Sequence, residues 1–183
     1  YTFNNVQANH TIYVWVADNE FTVTVNAPTN GTITPGTQVV AYGATPSFTI
    51  APNAGYSIAT VTLNGANVTF TTDAAGVAVV TLPAVTANVT LAATMSQNTY
   101  NIVATAGANG SITPAGTTSV NYGDNRTYTI SANAGYSIEN VVVDGISMGA
   151  ISSFTFTNVM ENHTIAASFV ISYCAAPSNT YIT

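Results

Sequence analysis

The sequence predicts an all-β chain built from small, tandem, β-sandwich-like repeats. Apolar residues alternate with Thr and Ser along short segments, and Asn-Gly or Asp-Gly dipeptides separate several of these segments. A pattern of about 80 residues also occurs twice, which is the sequence signature of a repeat architecture. Because successive side chains of a strand point to opposite faces, such alternation is typical of half-buried strands.

The alternating segments define the strands and their inward residues. Phe21, Val23 and Val25 alternate with Thr22 and Thr24, and no segment has a helical period. In the closing strands, Leu91, Ala93 and Met95 of the first copy match Ile165, Ala167 and Phe169 of the second. The predicted core residues are Phe48, Ile50, Ile58, Val61 and Leu63 in the first copy, and Tyr128, Ile130, Ile138, Val141 and Val143 in the second.

Turn dipeptides divide each copy into a predicted six or seven short strands. Asn-Gly and Asp-Gly favour type I′ hairpin turns because both residues tolerate positive φ. The alternative fold is a β-grasp-like repeat with one short helix at residues 72–78. The four predicted type I′ turns are Asn30-Gly31, Asn64-Gly65, Asn109-Gly110 and Asp144-Gly145.

The repeat sets the domain boundaries. Asn53–Ile58 returns without change as Asn133–Ile138, and four other segments return in the same order. The segment Phe3–Ile12 matches the end of the second copy, so it is predicted to close an earlier one. The predicted divisions are 1–17, the C-terminal strands of a preceding repeat; 21–96 and 100–170, the two full repeats; and 171–183, the start of a following module.

Five ordered motifs in this pattern resemble the divergent internalin-type B-repeats of bacterial surface proteins. They are N-G-x-I-x-P, a Y-G pair, the segment Phe48–Ile58, the V-x-L-N-G turn and an N-x-T-I ending. The second copy departs from the pattern at Ala132, where the first has Pro52, and the first has Val89 where the others have His. The resemblance implies an extracellular module of a large adhesin or exported protein. Residues 173–178 resemble the start of a fibronectin type III-like module.

Composition excludes several classes of partner. Charged residues are 4% of the chain, Arg126 is the only cation besides histidine, and the net charge is −6. Binding to nucleic acid or to an anionic membrane surface requires several cations. No apolar run approaches the roughly 18 residues of a membrane span. Cys174 is the only cysteine, so the chain has no internal disulfide.

The sequence predicts no catalytic, cofactor-binding or metal-binding residues, and hence no enzyme. His10 and His163 occupy the same repeat position, as strand residues would, and most of the few acidic residues lie at turns or linkers. Neither a G-x-S-x-G motif nor a cluster of His and Cys is present. A calcium ion at the 18–20 junction would need six to eight oxygen ligands, and only Asp18, Asn19 and Glu20 are available there.

Tyr13 and Trp15 form the candidate interaction surface. Ile12, Val14 and Val16 match the inward residues of the closing strand, so the two aromatics are expected on the opposite face. Later copies carry small residues there, and Trp and Tyr favour contacts that are apolar on one side and wet on the other. Two interpretations stay open: the pair packs on its own chain, or it docks another chain or a sugar.

These observations predict an extracellular structural or adhesive segment of a large bacterial cell-surface protein, acting as a stalk or spacer. Its partners would be neighbouring repeats of the same polypeptide, with other surface proteins or glycans as further candidates. The alternatives are a carbohydrate- or protein-binding module and a subunit of an extracellular filament. No cofactor, nucleic acid or membrane insertion is expected in this segment.

Overall fold

The computed structural model describes residues 2–14 and 19–172, and these residues form strands and turns without any helix. Each repeat contains eight strands, rather than the six or seven that the sequence predicted. The strands of the first repeat are β1 (Glu20–Asn26), β2 (Gly31–Thr34), β3 (Gln38–Ala41), β4 (Ser47–Pro52), β5 (Tyr56–Leu63), β6 (Ala66–Asn67), β7 (Ala78–Thr81) and β8 (Val89–Gln97).

The second repeat has the same strands in the same sequence order. They are β9 (Thr99–Ala106), β10 (Gly110–Thr113), β11 (Gly116–Asn121), β12 (Arg126–Ala132), β13 (Tyr136–Val143), β14 (Ile146–Gly149), β15 (Ser153–Phe156) and β16 (His163–Ile171). By contacts the chain divides into two compact units: Tyr1–Ala51 with Ile58–Thr94, and Pro52–Ser57 with Met95–Thr183.

Both repeats have one topology. In the first, a five-stranded sheet has the order β3-β1-β8-β5-β6 and a three-stranded sheet has the order β2-β4-β7. In the second, the corresponding orders are β11-β9-β16-β13-β14 and β10-β12-β15. The all-β fold of tandem sandwich-like repeats is therefore confirmed, and so is the matching strand order of the two copies.

The core of each repeat consists largely of the alternating residues that the sequence singled out. Seven of the ten predicted core residues are buried, and Ile58, Leu63 and Ile138 are half-buried. Leu63 lies beside β6, which has only two residues, whereas the matching Val143 is buried beside the longer β14. Ile138 lies at a β-bulge, where the pairing of β13 with β16 shifts register.

Two of the four predicted type I′ turns are present. Positive φ occurs at both Asn64 and Gly65, and at both Asp144 and Gly145. The prediction for the other two dipeptides is wrong: Asn30 and Asn109 have positive φ, but the glycine after each begins a strand. A type I′ turn joins paired neighbours, whereas β1 and β2, like β9 and β10, belong to different sheets.

Residues 72–78 form a turn and not the short helix of the β-grasp alternative. Thr72 forms an isolated β-bridge with Ala78. Between them, Asp73 Oδ1 accepts hydrogen bonds from the N–H groups of Ala75 and Val77, both at 2.9 Å. The aspartate side chain thereby satisfies the backbone donors of the turn, as is typical of Asx turns.

Residues 2–14 contain no strand, whereas a closing strand was expected there. Ile12 and Val14 were predicted to point inward, but they are 56% and 78% exposed. In a complete repeat the closing strand lies between two others, as β8 lies between β1 and β5. Residues 2–14 have no such neighbours in the described chain, so their backbone has no strand to pair with. The fibronectin-like segment 173–178 and Cys174 lie outside the described residues.

Candidate functional site

The first and last strands of each repeat lie side by side in the middle of the larger sheet. β1 pairs with β8 in parallel, from Val23 opposite Val89 to Asn26 opposite Ala92. β16 pairs with β9 in the same way, from His163 opposite Ile102 to Ala167 opposite Ala106. The strands on which the chain enters and leaves a repeat are therefore direct hydrogen-bonded partners.

Asparagine side chains extend this parallel pairing by one step. The Thr22 N–H donates to Asn88 Oδ1 at 2.8 Å, immediately before the first residue pair of β1 and β8. In the second repeat, the Asn101 N–H donates to Asn162 Oδ1 at the same distance and place. The N-x-T-I ending thus provides a side-chain acceptor for the entering strand.

The turn after β5 or β13 is hydrogen-bonded to the start of the closing strand. The Thr90 N–H donates to Asn64 Oδ1 at 2.8 Å, and the Asn64 N–H donates to the Thr90 carbonyl at 2.8 Å. Asp144 and Thr164 make the matching pair, at 2.7 and 3.1 Å. The residue before glycine in the type I′ turn therefore also anchors the strand on which the chain leaves.

In the second repeat, the side chains of Asp144 and His163 are in contact where the turn after β13 meets the start of β16. The His163 Nδ1 atom lies 2.7 Å from Asp144 Oδ2, and the ring centroid lies 4.7 Å from that of Phe156. Burial acts to raise the pKa of the Asp144 carboxyl, but hydrogen bonds from the Thr164 N–H and from His163 outweigh it and lower the pKa overall.

The sequence contained a signal for this pair. The copy with His163 in its ending carries Asp144 in its turn, whereas the copy with Val89 carries Asn64. The turn residue and the residue of the closing strand therefore differ together between the two copies, and the carboxylate occurs in the copy that also has the imidazole.

The second compact unit contains a close contact between Gly55 and Tyr122. The Asn98 N–H donates to the Gly55 carbonyl at 2.8 Å, and the Tyr122 N–H donates to the Asn98 carbonyl at 2.9 Å. The Gln97 side-chain amide donates to the Tyr122 carbonyl at 3.3 Å. The Tyr122 ring lies so close to Gly55 that a Cβ there would overlap its carbon atoms. Only glycine fits at this position, which also has a φ of +79°.

The family described as the divergent InlB B-repeat domain matches residues 21–99 and again residues 100–172. The chain belongs to this family. Its two B-repeats are thus the two structural copies described above, and the family indicates a repeat of a bacterial surface protein. No curated protein and no solved structure matches the chain.

The predicted interaction surface lies in the segment before the first B-repeat. Tyr13 is 81% exposed, and Trp15 lies outside the described residues. The exposure of Tyr13 does not distinguish it from the adjacent Ile12 and Val14, which are also exposed. The described residues therefore do not test the aromatic pair, and its role stays a prediction.

The described parts of the B-repeats contain no cluster of side chains that could hold a metal ion. Within residues 2–14 and 19–172, no three His, Cys, Asp or Glu side chains converge. Two shallow depressions lie beside residues 69–73, and the one carboxylate there, Asp73, is used in its own turn. Asp18, of the suggested calcium junction, is outside the described residues. The described segments also include no helix that could span a bilayer.

Proposed function

We propose that this chain is a load-bearing spacer segment of a large exported bacterial surface protein. Its partners are the neighbouring repeats of the same polypeptide, and it holds more distant parts of that polypeptide away from the cell. Membership in the divergent InlB B-repeat family supports a place at the bacterial surface. The spacer role rests on the geometry of the strands on which each repeat begins and ends.

The observation that carries this proposal is the parallel pairing of the terminal strands in each repeat. Because β1 and β8 run in the same direction, the chain enters near one end of the sheet and leaves near the other. Tension applied to the two ends of the repeat pulls β1 and β8 in opposite directions along their length. The hydrogen bonds between parallel strands are evenly spaced, so the bonds of this ladder resist the sliding together.

Side-chain hydrogen bonds support the same strands. Asn88 and Asn162 accept from the entering strands, while Asn64 and Asp144 anchor the starts of the closing strands. All four contacts lie at the ends of the two parallel ladders, where sliding of one strand past the other would begin. These side-chain hydrogen bonds occur at the same places in both repeats, so both parallel ladders are supported in the same way.

Single-molecule force spectroscopy tests the proposal on the whole chain, pulled through its two ends. We expect two unfolding events, each releasing roughly 25 nm of chain at about 3.3–3.6 Å per residue. Asn88→Ala removes the acceptor for Thr22, a hydrogen bond worth about 1 kcal/mol. It should lower the unfolding force of one event and leave the other as an internal reference.

Thr81→Val is the matched control. It removes the 2.7 Å hydrogen bond between the Ser47 and Thr81 hydroxyls, which joins β4 and β7 of the smaller sheet. The terminal strands do not belong to that sheet, so the unfolding forces should stay as in the unmodified chain. Equal weakening by both substitutions, or unfolding without a resolved force peak, would contradict a load-bearing role.

A ligand-binding module is the alternative that the sequence left open, and its candidate residues are Tyr13 and Trp15. The alternative rests on residue type, because Tyr and Trp favour contacts that are apolar on one side and wet on the other, and Tyr13 is accessible for such a contact. Trp15→Ala tests it: binding to glycans or to another surface protein should weaken while circular dichroism shows an unchanged fold. Unaltered binding in that variant would remove the aromatic pair from consideration.

A further inference from the structure

The first repeat contains an insertion that the second repeat lacks. The offset between matching residues falls from 80 at Asn64 and Asp144 to 74 at Val79 and Ser153, so six residues are added between the turn after β5 and strand β7. The second repeat has the same topology without them. The fold therefore does not require the insertion, and surface segments on a rigid scaffold are where binding residues are often found.

The insertion forms a groove beside β7, the edge strand of the smaller sheet. Two depressions of about 230 and 360 Å³ share Thr71 and Val79 as lining residues, so they form one continuous insertion groove. Thr69, Phe70 and Thr72 also line it. This is the small end of the size range of ligand pockets, and it suits a small ligand unit.

The insertion groove combines apolar side chains with free hydroxyls. Val79 is 65% exposed, and the second repeat has Ser153 at the matching place. Phe70 is half-buried. The three threonines of the groove are exposed, and their hydroxyls make no hydrogen bond to any other described residue. Ligand sites typically have this composition, in which an apolar lining carries a few polar groups.

The insertion groove offers no charge to select a charged ligand. Its one ionisable residue is Asp73, whose Oδ1 atom already accepts hydrogen bonds from the N–H groups of Ala75 and Val77. The only arginine of the chain, Arg126, belongs to the second repeat, and the net charge is −6. An anionic ligand would therefore meet no cation, and an uncharged ligand matches the groove best.

Hydrogen bonds hold the insertion in place at both ends. At its start, the Val68 N–H donates to the Val61 carbonyl at 2.8 Å. At its end, Thr72 bridges Ala78, and the Asp73 N–H donates to the Val77 carbonyl at 2.9 Å. A ligand that enters the groove therefore pays little for ordering the loop, which favours binding.

We propose that the insertion groove binds one uncharged sugar unit of a glycan. A pyranose ring carries C–H groups on its faces and hydroxyls around its rim. The Phe70 ring and the Val79 side chain match the C–H groups, and the threonine hydroxyls match the rim, because each can both donate and accept. An extended peptide would instead add to the edge of β7 through backbone hydrogen bonds. That edge is already occupied at Ala78 by Thr72.

Sugar binding at this place is separate from the load-bearing role. The groove lies on β7, whereas β1 and β8, on which the chain enters and leaves the repeat, belong to the larger sheet. A chain that binds no sugar could still resist force, and a chain that unfolds at low force could still bind a sugar. The two proposals therefore fail by different measurements.

NMR titration of the whole chain tests the proposal, with glucose, galactose, mannose and N-acetylglucosamine as separate probes. At least one of them should shift the amide signals of residues 69–73 and 77–79 in a saturable way. The dissociation constant should be roughly 1 mM, because a single sugar ring makes few contacts. The signals of β15, which matches β7 but has no insertion beside it, should not move. Glucuronate should not bind, because its carboxylate meets no cation in the groove.

Three substitutions locate the site. Thr71→Val keeps the shape of the side chain and removes its hydroxyl, so binding should weaken about fivefold, as for one lost hydrogen bond. Val79→Ser introduces the residue that the second repeat has there, and it should weaken binding by a similar factor. Phe70→Ala should weaken binding about tenfold or more. Ser153→Val is the matched control, because it places a valine in the second repeat without the insertion and should create no new site.

Circular dichroism shows whether each variant keeps its fold, and Val79→Ser is expected to do so because β15 forms with serine at that place. The proposal is overturned if none of the four sugars gives saturable shifts, if the shifts are equal in both repeats, or if Thr71→Val and Val79→Ser bind as the unmodified chain does. It is also overturned if a capped Thr-Val-Thr peptide shifts the groove signals and no sugar does, since the ligand would then be an extended peptide.

Discussion

Tyr128 is fully buried in the core of the second repeat, and its hydroxyl has no hydrogen-bond partner among the described residues. The matching residue of the first repeat is Phe48, which is also buried. A buried polar group without a partner costs about 1–3 kcal/mol. The second repeat therefore carries an unsatisfied hydroxyl at a core position where the first repeat has a phenylalanine without one.

We expect Tyr128→Phe to raise the free energy of unfolding of the second repeat by about 1 kcal/mol, because it removes the unsatisfied hydroxyl and keeps the ring. Urea unfolding measures the change. Phe48→Tyr is the converse control in the first repeat and should be destabilising. A loss of stability in Tyr128→Phe would show that the hydroxyl has a partner in solution.

The Asp144 carboxyl makes stability depend on pH in the acid range. Its pKa is lowered in the folded chain, so the folded state favours the charged form. This contribution is complete above the unfolded pKa of about 3.9 and is lost as the pH falls through the folded pKa. Asp144→Asn should cost less than about 1 kcal/mol near pH 7, because the side chain is 42% exposed.

Urea unfolding of the unmodified chain and of Asp144→Asn, compared from pH 7 to pH 2, measures this dependence. The difference between the two should shrink as the pH falls. The first repeat supports the choice of substitution, because Asn64 accepts the Thr90 N–H in the same place. A difference that stays constant down to pH 2 would mean that the carboxylate charge contributes nothing.

At the scale of strands and turns, local pattern predicted the elements but not all of their partners. Alternation identified β4 and β12 and their buried residues, since period-two patterns follow from strand geometry. It could not show that β1 lies parallel to β8, because those strands are joined only through six others. The expectation of a type I′ turn at Asn30 was wrong for the same reason: the dipeptide carries no information on the sheet that β2 joins.

Gly55 and Gly135 provide a matched test of the loop contact. Both have φ near +80°, so alanine is strained equally at each. At Gly55 the added Cβ also overlaps the Tyr122 ring, whereas at Gly135 it meets no atom of the described residues within 4 Å. Gly55→Ala should therefore destabilise the chain by about 1–3 kcal/mol more than Gly135→Ala, the usual range for overpacking.

Hydrogen exchange at low protein concentration measures the local effect. The Asn98 and Tyr122 N–H groups, which form the backbone bonds of this contact, should lose protection in Gly55→Ala. The Ser172 N–H should keep the same protection in Gly55→Ala as in the unmodified chain. Equal effects of the two substitutions on stability would show that strain at positive φ, and not the ring, decides the cost.

For the molecule as a whole, the internal repeat was the most informative feature of the sequence. Copies with shared motifs were expected to share one strand order, and they do. The contact between Gly55 and the Tyr122 ring could not be predicted, because the two residues are far apart in sequence and neither stands out by residue type. The contact between Asp144 and His163 could have been predicted, but only by comparing the turn position and the closing-strand position between the two copies.

Leu91 and Ile165 test whether the two repeats unfold separately. They hold the same place in β8 and β16, and both are fully buried. Leu91→Ala should lower the free energy of unfolding of the first repeat by about 2–5 kcal/mol, and Ile165→Ala should do the same for the second. Hydrogen exchange followed residue by residue should show the loss only in the repeat that carries the substitution, because each core is built from its own strands. If either substitution reduced protection equally in both repeats, the chain would unfold as one cooperative unit, and the expectation that each repeat unfolds separately would be wrong.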